Sequence, residues 1–129
     1  MTLRPRVVIV DDDETVLRLM ARRLAPFYDV LATGDPRKVK GLLQEHQPHA
    51  VLCDIDMPGM GGGELAAAIA ADPATSAVPV VFMTELATPD EVDDLGGVIS
   101  GHPAFSKGAE TSVVVGVIEK VCGERFAAG

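Results

Sequence analysis

Short apolar runs alternate with helical patterns along the chain, and this alternation restricts the fold more than any other feature. The run Val7 to Val10 is rich in β-branched residues and too short for a helix, so it predicts a buried strand. Further strands are predicted at residues 28–31, 49–53, 79–83 and 104–106. A helical pattern follows each strand. The last pattern contains so many β-branched residues that a strand remains an alternative there.

Five strands that alternate with five helices predict an α/β domain with a parallel sheet and helices on both faces. Such crossovers are right-handed, which leaves few topologies. The expected strand order is 2-1-3-4-5, the doubly wound, flavodoxin-like arrangement, in which ligands bind at the carboxyl ends of the strands. The length of 129 residues suits one domain. We expect a single domain over residues 1–129, with a core at residues 6–122 and a short tail at residues 123–129.

Charge and cysteine content argue against several classes of protein. Nineteen acidic and eleven basic residues give a formal net charge of −8, which disfavours a nucleic-acid partner. Cys53 and Cys122 match no zinc-site spacing, and we expect two buried free thiols in a reducing compartment.

No apolar stretch reaches the roughly 18 residues of a membrane span. The few apolar residues before Asp11 do not make a signal peptide. The expected location is the cytoplasm, without a membrane partner.

Polar side chains follow four of the five predicted strands. Asp11 and Asp12 follow the first strand, Asp54 the third, Thr84 the fourth and Lys107 the fifth. In the order 2-1-3-4-5 these strand ends are adjacent, so the side chains converge on one cleft. Three close carboxylates repel one another and lose ionisation unless a cation joins them. A hard divalent ion such as Mg²⁺ suits carboxylates, a backbone carbonyl and waters.

Each of these residues also has a purely structural interpretation. Asp12 and Asp13 can cap the first helix and complement its dipole. Asp54 can belong to a turn at the strand end, and Lys107 can be a solvated surface charge. A threonine such as Thr84 is common before a loop. The joint placement of these residues favours a site, because a capping Asp does not require the other residues.

Three segments resemble the receiver domain of response regulators in two-component signalling, the chemotaxis-regulator-like family. Residues 8–14 (VIVDDDE) resemble its opening, and residues 51–60 (VLCDIDMPGM) contain its phosphoacceptor Asp followed by its Met-Pro-Gly turn. Residues 72–84 resemble the approach to its fourth strand. Lys107 lies 23 residues further on, close to the family interval. The resemblance spans roughly residues 6–122.

This resemblance implies that Asp54 accepts a phosphoryl group from a phosphohistidine on a sensor histidine kinase or a histidine phosphotransfer protein. Lys107 and the Thr84 hydroxyl would contact the phosphoryl oxygens. The implied ligands of Mg²⁺ or Mn²⁺ are Asp11, Asp12, Asp54 and the backbone carbonyl of Asp56. Phosphorylation would shift a conformational equilibrium around helix four, strand five and helix five, and a protein target would detect that shift. The domain would assist only its own phosphorylation and dephosphorylation.

Several positions depart from the family pattern, mostly on that output surface. Glu85 replaces a small residue beside the phosphoryl site. Ala104 stands where the family has its switch aromatic, and Phe105 should point to the opposite face of the strand. Gly108 replaces a proline that usually follows a cis bond, so a trans bond is expected. The pair at residues 96–97 is Gly-Gly, which weakens helix four. We expect an intact phosphorylation site beside an atypical output face.

Two other functions stay open. The order of Asp54, Asp56, Thr84 and Lys107 also resembles haloacid-dehalogenase-type phosphatases, but those enzymes place the first Asp on their first strand. They also carry acidic metal ligands after the Lys. The stronger alternative is a degenerate receiver that acts as a phosphorylation-independent binding scaffold, since the departures alter its output face.

Overall fold

The computed structural model describes residues 4–128, with side chains described for residues 4–123. Within this range, six strands form one sheet and five helices pack on its faces. The strands are β1 (Arg6–Val10), β2 (Asp29–Thr33), β3 (Ala50–Asp54), β4 (Val80–Thr84), β5 (Val98–Ile99) and β6 (His102–Ser106). The helices are α1 (Glu14–Leu24), α2 (Val39–His46), α3 (Gly62–Ala71), α4 (Pro89–Asp94) and α5 (Thr111–Ala128), with a 3-10 turn at Pro36–Lys38 before α2.

The sheet confirms the predicted α/β class with helices on both faces, but it contains one strand more than expected. The observed order is β2-β1-β3-β4-β6-β5, and every pair is parallel except the last. The five-strand order 2-1-3-4-5 is therefore corrected to six strands, with β6 in the position of the predicted fifth. The extra strand β5 pairs antiparallel with β6 through Val98 opposite Pro103.

A two-residue turn creates this extra strand. Ser100 and Gly101 both have positive φ, 51° and 81°, as the central residues of a type I′ hairpin require. The sequence lacks the Asn-Gly or Asp-Gly signal of such turns, and a strand of two residues shows no alternation. Pattern reasoning therefore missed the hairpin.

Local capping explains where two helices begin. Asp13 caps α1 by accepting hydrogen bonds from the backbone N–H groups of Thr15 and Val16. Thr88 and Glu91 form a reciprocal capping box at the start of α4. Helix α4 is only six residues long, in agreement with the helix weakening expected from the Gly-Gly pair. Gly96 and Gly97, which follow it, both have positive φ. The last apolar pattern is helical, and α5 continues through the predicted tail to Ala128.

Two apolar layers cover the sheet. The layer beneath α1 and α5 includes Ile9, Met83 and Phe105, and the layer beneath α2 and α3 includes Phe82 and Ala104. Phe105 and Ala104 thus point to opposite faces, as strand alternation predicts.

Cys53 and Cys122 are both buried and are not joined by a disulfide, as expected. Burial, and to a lesser degree the nearby Asp54, raises the pKa of Cys53 to about 12. This thiol stays protonated at neutral pH. Among the described residues, no helix has the length and apolar character that crossing a membrane requires.

Candidate functional site

The carboxyl ends of β1, β3, β4 and β6 lie side by side and carry the predicted polar residues. Asp11 follows β1, Asp54 is the last residue of β3, Thr84 is the last of β4, and Lys107 follows β6. The loop after β6 is joined to β4, because the backbone N–H of Lys107 donates to the carbonyl of Thr84 at 2.7 Å. Parallel pairing thus places residues distant in sequence at one edge.

Lys107 forms ion pairs with two carboxylates of this edge. Its Nζ lies 2.6 Å from Oδ2 of Asp11 and 3.0 Å from Oδ1 of Asp54, and its side chain is only 8% exposed. Burial lowers the pKa of Lys107, but hydrogen bonds to Asp11 and Asp54 outweigh burial and leave the pKa raised. The ammonium group is therefore charged at neutral pH.

Three carboxylates form a tight cluster around this lysine. Asp11, Asp12 and Asp54 each offer an oxygen, and these oxygens lie within 4.8 Å of one another. Asp11 and Asp54 are buried, whereas Asp12 is exposed. Burial raises the pKa of Asp54, and repulsion from Asp11 and Asp12 adds to the rise against the lowering effect of Lys107. One lysine does not neutralise three carboxylates, so the cluster keeps an excess of negative charge.

The cluster fits a hard divalent cation. Oδ2 of Asp11 is buried and lies 2.6 Å from the Lys107 ammonium. Oδ1 of Asp11 is oriented by the backbone N–H of Asp13, which donates at 2.9 Å. Carboxylate oxygens at this spacing are suitable ligands for Mg²⁺ or Mn²⁺, and the exposed Asp12 leaves one side open for entry.

The other predicted site residues surround this cluster. Thr84 is buried, and its hydroxyl accepts a hydrogen bond from the backbone N–H of Leu86 at 3.0 Å. Glu85 and Asp56 are exposed in the loops after β4 and β3. Gly108 donates its N–H to the hydroxyl of Ser106. The described residues contain no cis peptide bond, in agreement with the trans bond expected before Gly108.

Gly62 is a positioning residue that the sequence analysis did not single out. A Cβ at this position would lie 2.5 Å from the backbone oxygen of Asp54. The N–H of Gly62 donates to the carbonyl of Ile55 at 2.8 Å, so α3 begins directly against the loop that follows β3. The three glycines at residues 61–63 predicted a turn in the sequence. Nothing in that run shows that Gly62 is the position without space for a side chain.

Arg23 is a second residue that sequence reasoning missed. Its guanidinium donates from α1 to the carbonyl of Ala109 at 2.7 Å and to the hydroxyl of Thr111 at 2.9 Å. These bonds hold the loop between Lys107 and α5. No local pattern signals them, because the partners are 86 and 88 residues apart.

Asp54→Asn is expected to raise the free energy of unfolding at neutral pH without divalent cations, because it removes a buried charge that neighbouring carboxylates repel. The folded protein holds the Asp54 proton more tightly than the unfolded chain. Wild-type stability therefore falls as pH rises from the ordinary Asp pKa of 3.8 through the raised folded pKa. The gain should be absent below pH 3.8 and should grow as pH rises through the raised folded pKa. Urea denaturation of both proteins between pH 3.8 and neutral pH, in a chelating buffer, measures this gain in the free energy of unfolding.

Asp13→Asn is the matched control, since Asn caps a helix as well as Asp does and Asp13 is exposed. Its stability should follow the wild type at every pH. An Asp54→Asn protein that is less stable than wild type at neutral pH would contradict the electrostatic account.

The topology and the acidic, lysine-containing edge define a flavodoxin-like α/β domain with a candidate cation site at the carboxyl ends of its strands. The sequence profile of the family described as response regulator receiver domain matches residues 7–97. The chain belongs to this family, and the resemblance stated above is confirmed. The matched segment ends before β5, so the hairpin, β6 and α5 lie outside it.

Curated relatives agree with this assignment. The DNA-binding response regulator MtrA of Mycobacterium tuberculosis (strain ATCC 25618 / H37Rv) is 34% identical over 101 residues, which are 78% of this chain and 42% of the relative. The response regulator PleD of Caulobacter vibrioides is 33% identical over 101 residues, 78% of this chain and 22% of the relative. This chain therefore spans less than half the length of these curated relatives.

Two solved structures are similar in fold. A putative response regulator from Chloroflexus aurantiacus superposes with a TM-score of 0.78 at 24% identity, covering 94% of this chain and 99% of that one. The chemotaxis protein CheY4 of Vibrio cholerae superposes with a TM-score of 0.76 at 19% identity, covering 92% of this chain and 99% of that one. Both show the same architecture.

Proposed function

We propose that this receiver domain accepts a phosphoryl group on Asp54 from a phosphohistidine on a sensor histidine kinase or a histidine phosphotransfer protein. The observation that carries the proposal is the 3.0 Å pairing of Asp54 with Lys107 inside the acidic cluster at the carboxyl edge of the sheet. Phosphorylation then signals to a protein partner by a conformational change. The proposed location is the cytoplasm.

The geometry suits in-line phosphoryl transfer, in which positioning and charge stabilisation do most of the work. An oxygen of Asp54 attacks phosphorus, the new P–O bond forms, and the P–N bond to the donor imidazole breaks. Lys107 offsets the repulsion between the carboxylate and the anionic phosphoryl group and afterwards pairs with a phosphoryl oxygen. The Thr84 hydroxyl lies on the neighbouring strand and is available to donate to another oxygen.

A divalent cation would supply further positive charge for this transfer. Its proposed ligands are Asp11, Asp12, Asp54 and the backbone carbonyl of Asp56. Support comes from the carboxylate oxygens of Asp11, Asp12 and Asp54, which lie within 4.8 Å of one another and are not neutralised by a single lysine. The chain's own contribution is to hold these oxygens in place before the ion arrives.

The phosphatase alternative has little support in the geometry. The carboxylates that cluster with Asp54 precede it in the chain. Of the acidic residues that follow Lys107, Glu110 and Glu119 are exposed, and Glu119 lies near Tyr28 rather than in the cluster. The following test also addresses the scaffold alternative, which predicts that the folded protein is not phosphorylated.

Incubation with Mg²⁺ and acetyl phosphate is expected to add the mass of one phosphoryl group to the intact protein, because the proposed acceptor Asp54 lies beside Lys107 and within the cluster of proposed cation ligands. Asp54→Ala should abolish the gain, and Asp13→Asn, which changes a neighbouring carboxylate outside the cluster, should retain it. Intact-protein mass spectrometry with and without a chelator measures both. No gain in the folded wild type would support the scaffold instead.

A further inference from the structure

The loop that carries Lys107 joins β6 to α5 and consists of residues 107–110. The Lys107 ammonium contacts two carboxylates at once, 2.6 Å from Asp11 and 3.0 Å from Asp54. A lysine side chain is a flexible stem with a point charge at its end, so it does not by itself fix where the ammonium lies. The position of the loop backbone therefore decides whether both contacts form.

The first half of this loop is anchored to the sheet. The N–H of Lys107 donates to the carbonyl of Thr84 at 2.7 Å. The N–H groups of Gly108 and Ala109 donate to the hydroxyl and the carbonyl of Ser106, at 3.1 and 2.9 Å. All three bonds hold the side of the loop that leaves β6. The side that leads into α5 needs a separate anchor.

The sequence supplies no stiffening residue within the loop. Gly108 stands where the family pattern has a proline, whose ring would fix φ. Gly108 is exposed and contributes no side-chain packing. The loop therefore depends on hydrogen bonds from other elements to keep Lys107 in place.

Arg23 supplies these hydrogen bonds from the last turn of α1. Its guanidinium donates through Nη2 to the carbonyl of Ala109 at 2.7 Å and through Nε to the hydroxyl of Thr111 at 2.9 Å. The two acceptors flank residue 110, so one rigid group spans the junction between the loop and α5. The planar guanidinium holds its donors at a fixed spacing, which a lysine ammonium cannot do.

The surroundings of Arg23 favour this contact over any other. Its side chain is half-buried, and within residues 4–123 it forms no ion pair with a carboxylate. Ala109, whose carbonyl it binds, is 5% exposed and belongs to the apolar layer beneath α1 and α5. A hydrogen bond from a charged donor in such a place is strong.

We propose that Arg23 is a positioning residue for Lys107 and that it acts by tying the loop after β6 to α1. Ala109, which Arg23 holds, is only two residues from Lys107. Without this tie, the ammonium loses its fixed position against the two carboxylates. Its effect on phosphoryl transfer rests on the proposed function, whereas the placement of the ammonium does not.

NMR of the lysine side chains, labelled with ¹⁵N, tests this placement in the full chain at neutral pH with a chelator. The Lys107 ammonium signal is assigned by its absence from Lys107→Ala, and it should differ from the signals of the exposed Lys38 and Lys120. Arg23→Ala should move it toward those signals. Arg22→Ala is the matched control, since it removes the same charge from an exposed position on the same helix, and it should leave the signal unchanged.

Two milder variants test the geometry of the contact, and circular dichroism verifies that each variant is folded. Arg23→Lys keeps the positive charge but cannot bridge both acceptors, so it should move the Lys107 signal as Arg23→Ala does. Thr111→Val removes one acceptor and should move the signal in the same direction by a smaller amount.

The rate of the acetyl phosphate reaction tests whether Arg23 acts through Lys107. Arg23→Ala should lower this rate about tenfold or more, because small displacements of a reacting group are costly. In the Lys107→Ala background the same change should matter less than about twofold, since nothing is left to position.

Several results would overturn the proposal: an unchanged Lys107 signal in Arg23→Ala, a wild-type signal in Arg23→Lys, an equal shift in Arg22→Ala, or equal rate effects in both backgrounds. A wild type that gains no mass would contradict the phosphoacceptor proposal alone. The lysine signal would still decide the role of Arg23.

Discussion

Lys107→Ala is expected to lower the free energy of unfolding by about 3–5 kcal/mol at neutral pH in a chelating buffer, the usual cost of removing one partner of a buried ion pair. The variant leaves Asp11 and Asp54 buried beside each other without the cation that now lies 2.6 and 3.0 Å away. Urea denaturation followed by circular dichroism measures the loss. Lys120→Ala, at an exposed position, should change little.

Two further measurements show whether the loss of stability comes from the unpaired carboxylates or from a general disruption of the fold. Acidification should reduce the difference, because protonated carboxylates need no cation, and Mg²⁺ should restore part of it. In the wild type, the contribution of Lys107 is complete at pH values where the carboxylates are ionised and the pH is below its ordinary pKa of 10.5, and it is lost as pH rises through the raised folded pKa. A loss below about 1 kcal/mol in chelator, as for a surface ion pair, would show that Lys107 does not stabilise the cluster.

Gly62→Ala is expected to destabilise the protein by about 1–3 kcal/mol or more, the cost of overpacking an interior contact. The added methyl group would meet the backbone oxygen of Asp54 at 2.5 Å, and backbone cannot swing away as a side chain can. Either α3 or the end of β3 must shift. We therefore also expect weaker Mg²⁺ binding, since Asp54 belongs to the carboxylate cluster. Thermal unfolding with and without Mg²⁺ measures both effects.

Gly63→Ala is the matched control. It lies next to Gly62 in the same helix, and a Cβ there meets nothing within 4 Å. Because Ala favours a helix interior over Gly, this variant should be more stable than wild type by up to about 1 kcal/mol. Equal changes in stability for Gly62→Ala and Gly63→Ala would show that the close approach at Gly62 does not constrain the fold.

Sequence reasoning worked best where one local rule applied. Short β-branched runs such as that at Val7 indicated the parallel sheet, and Asp13 was a candidate cap of the first helix, which begins at Glu14. The polar residues Asp11, Asp54 and Lys107 were placed at one edge because parallel strands share their carboxyl ends. The structure brings them into contact, while their roles in phosphoryl transfer await experiment.

The same reasoning failed where a feature depends on contacts between distant segments or on a very short element. The β5 hairpin arises from two left-handed residues that carry no strong turn signal. The steric role of Gly62 depends on where α3 meets the end of β3. Arg23 on α1 donates hydrogen bonds to acceptors more than 80 residues away in the chain, and no periodic pattern in the sequence predicts such a contact.

Short apolar runs and strand-end polarity were enough to predict the class of fold and the residues of the acidic edge, because these patterns are local and parallel strands share their carboxyl ends. The family resemblance came from the motifs at residues 8–14, 51–60 and 72–84. The ion-pair distances at Lys107, the close approach at Gly62 and the hydrogen bonds of Arg23 depend on how separate elements pack in three dimensions. Burial then decides the energetics, since the same carboxylate at Asp54 has an ordinary pKa in water and a raised one beside Asp11 and Asp12.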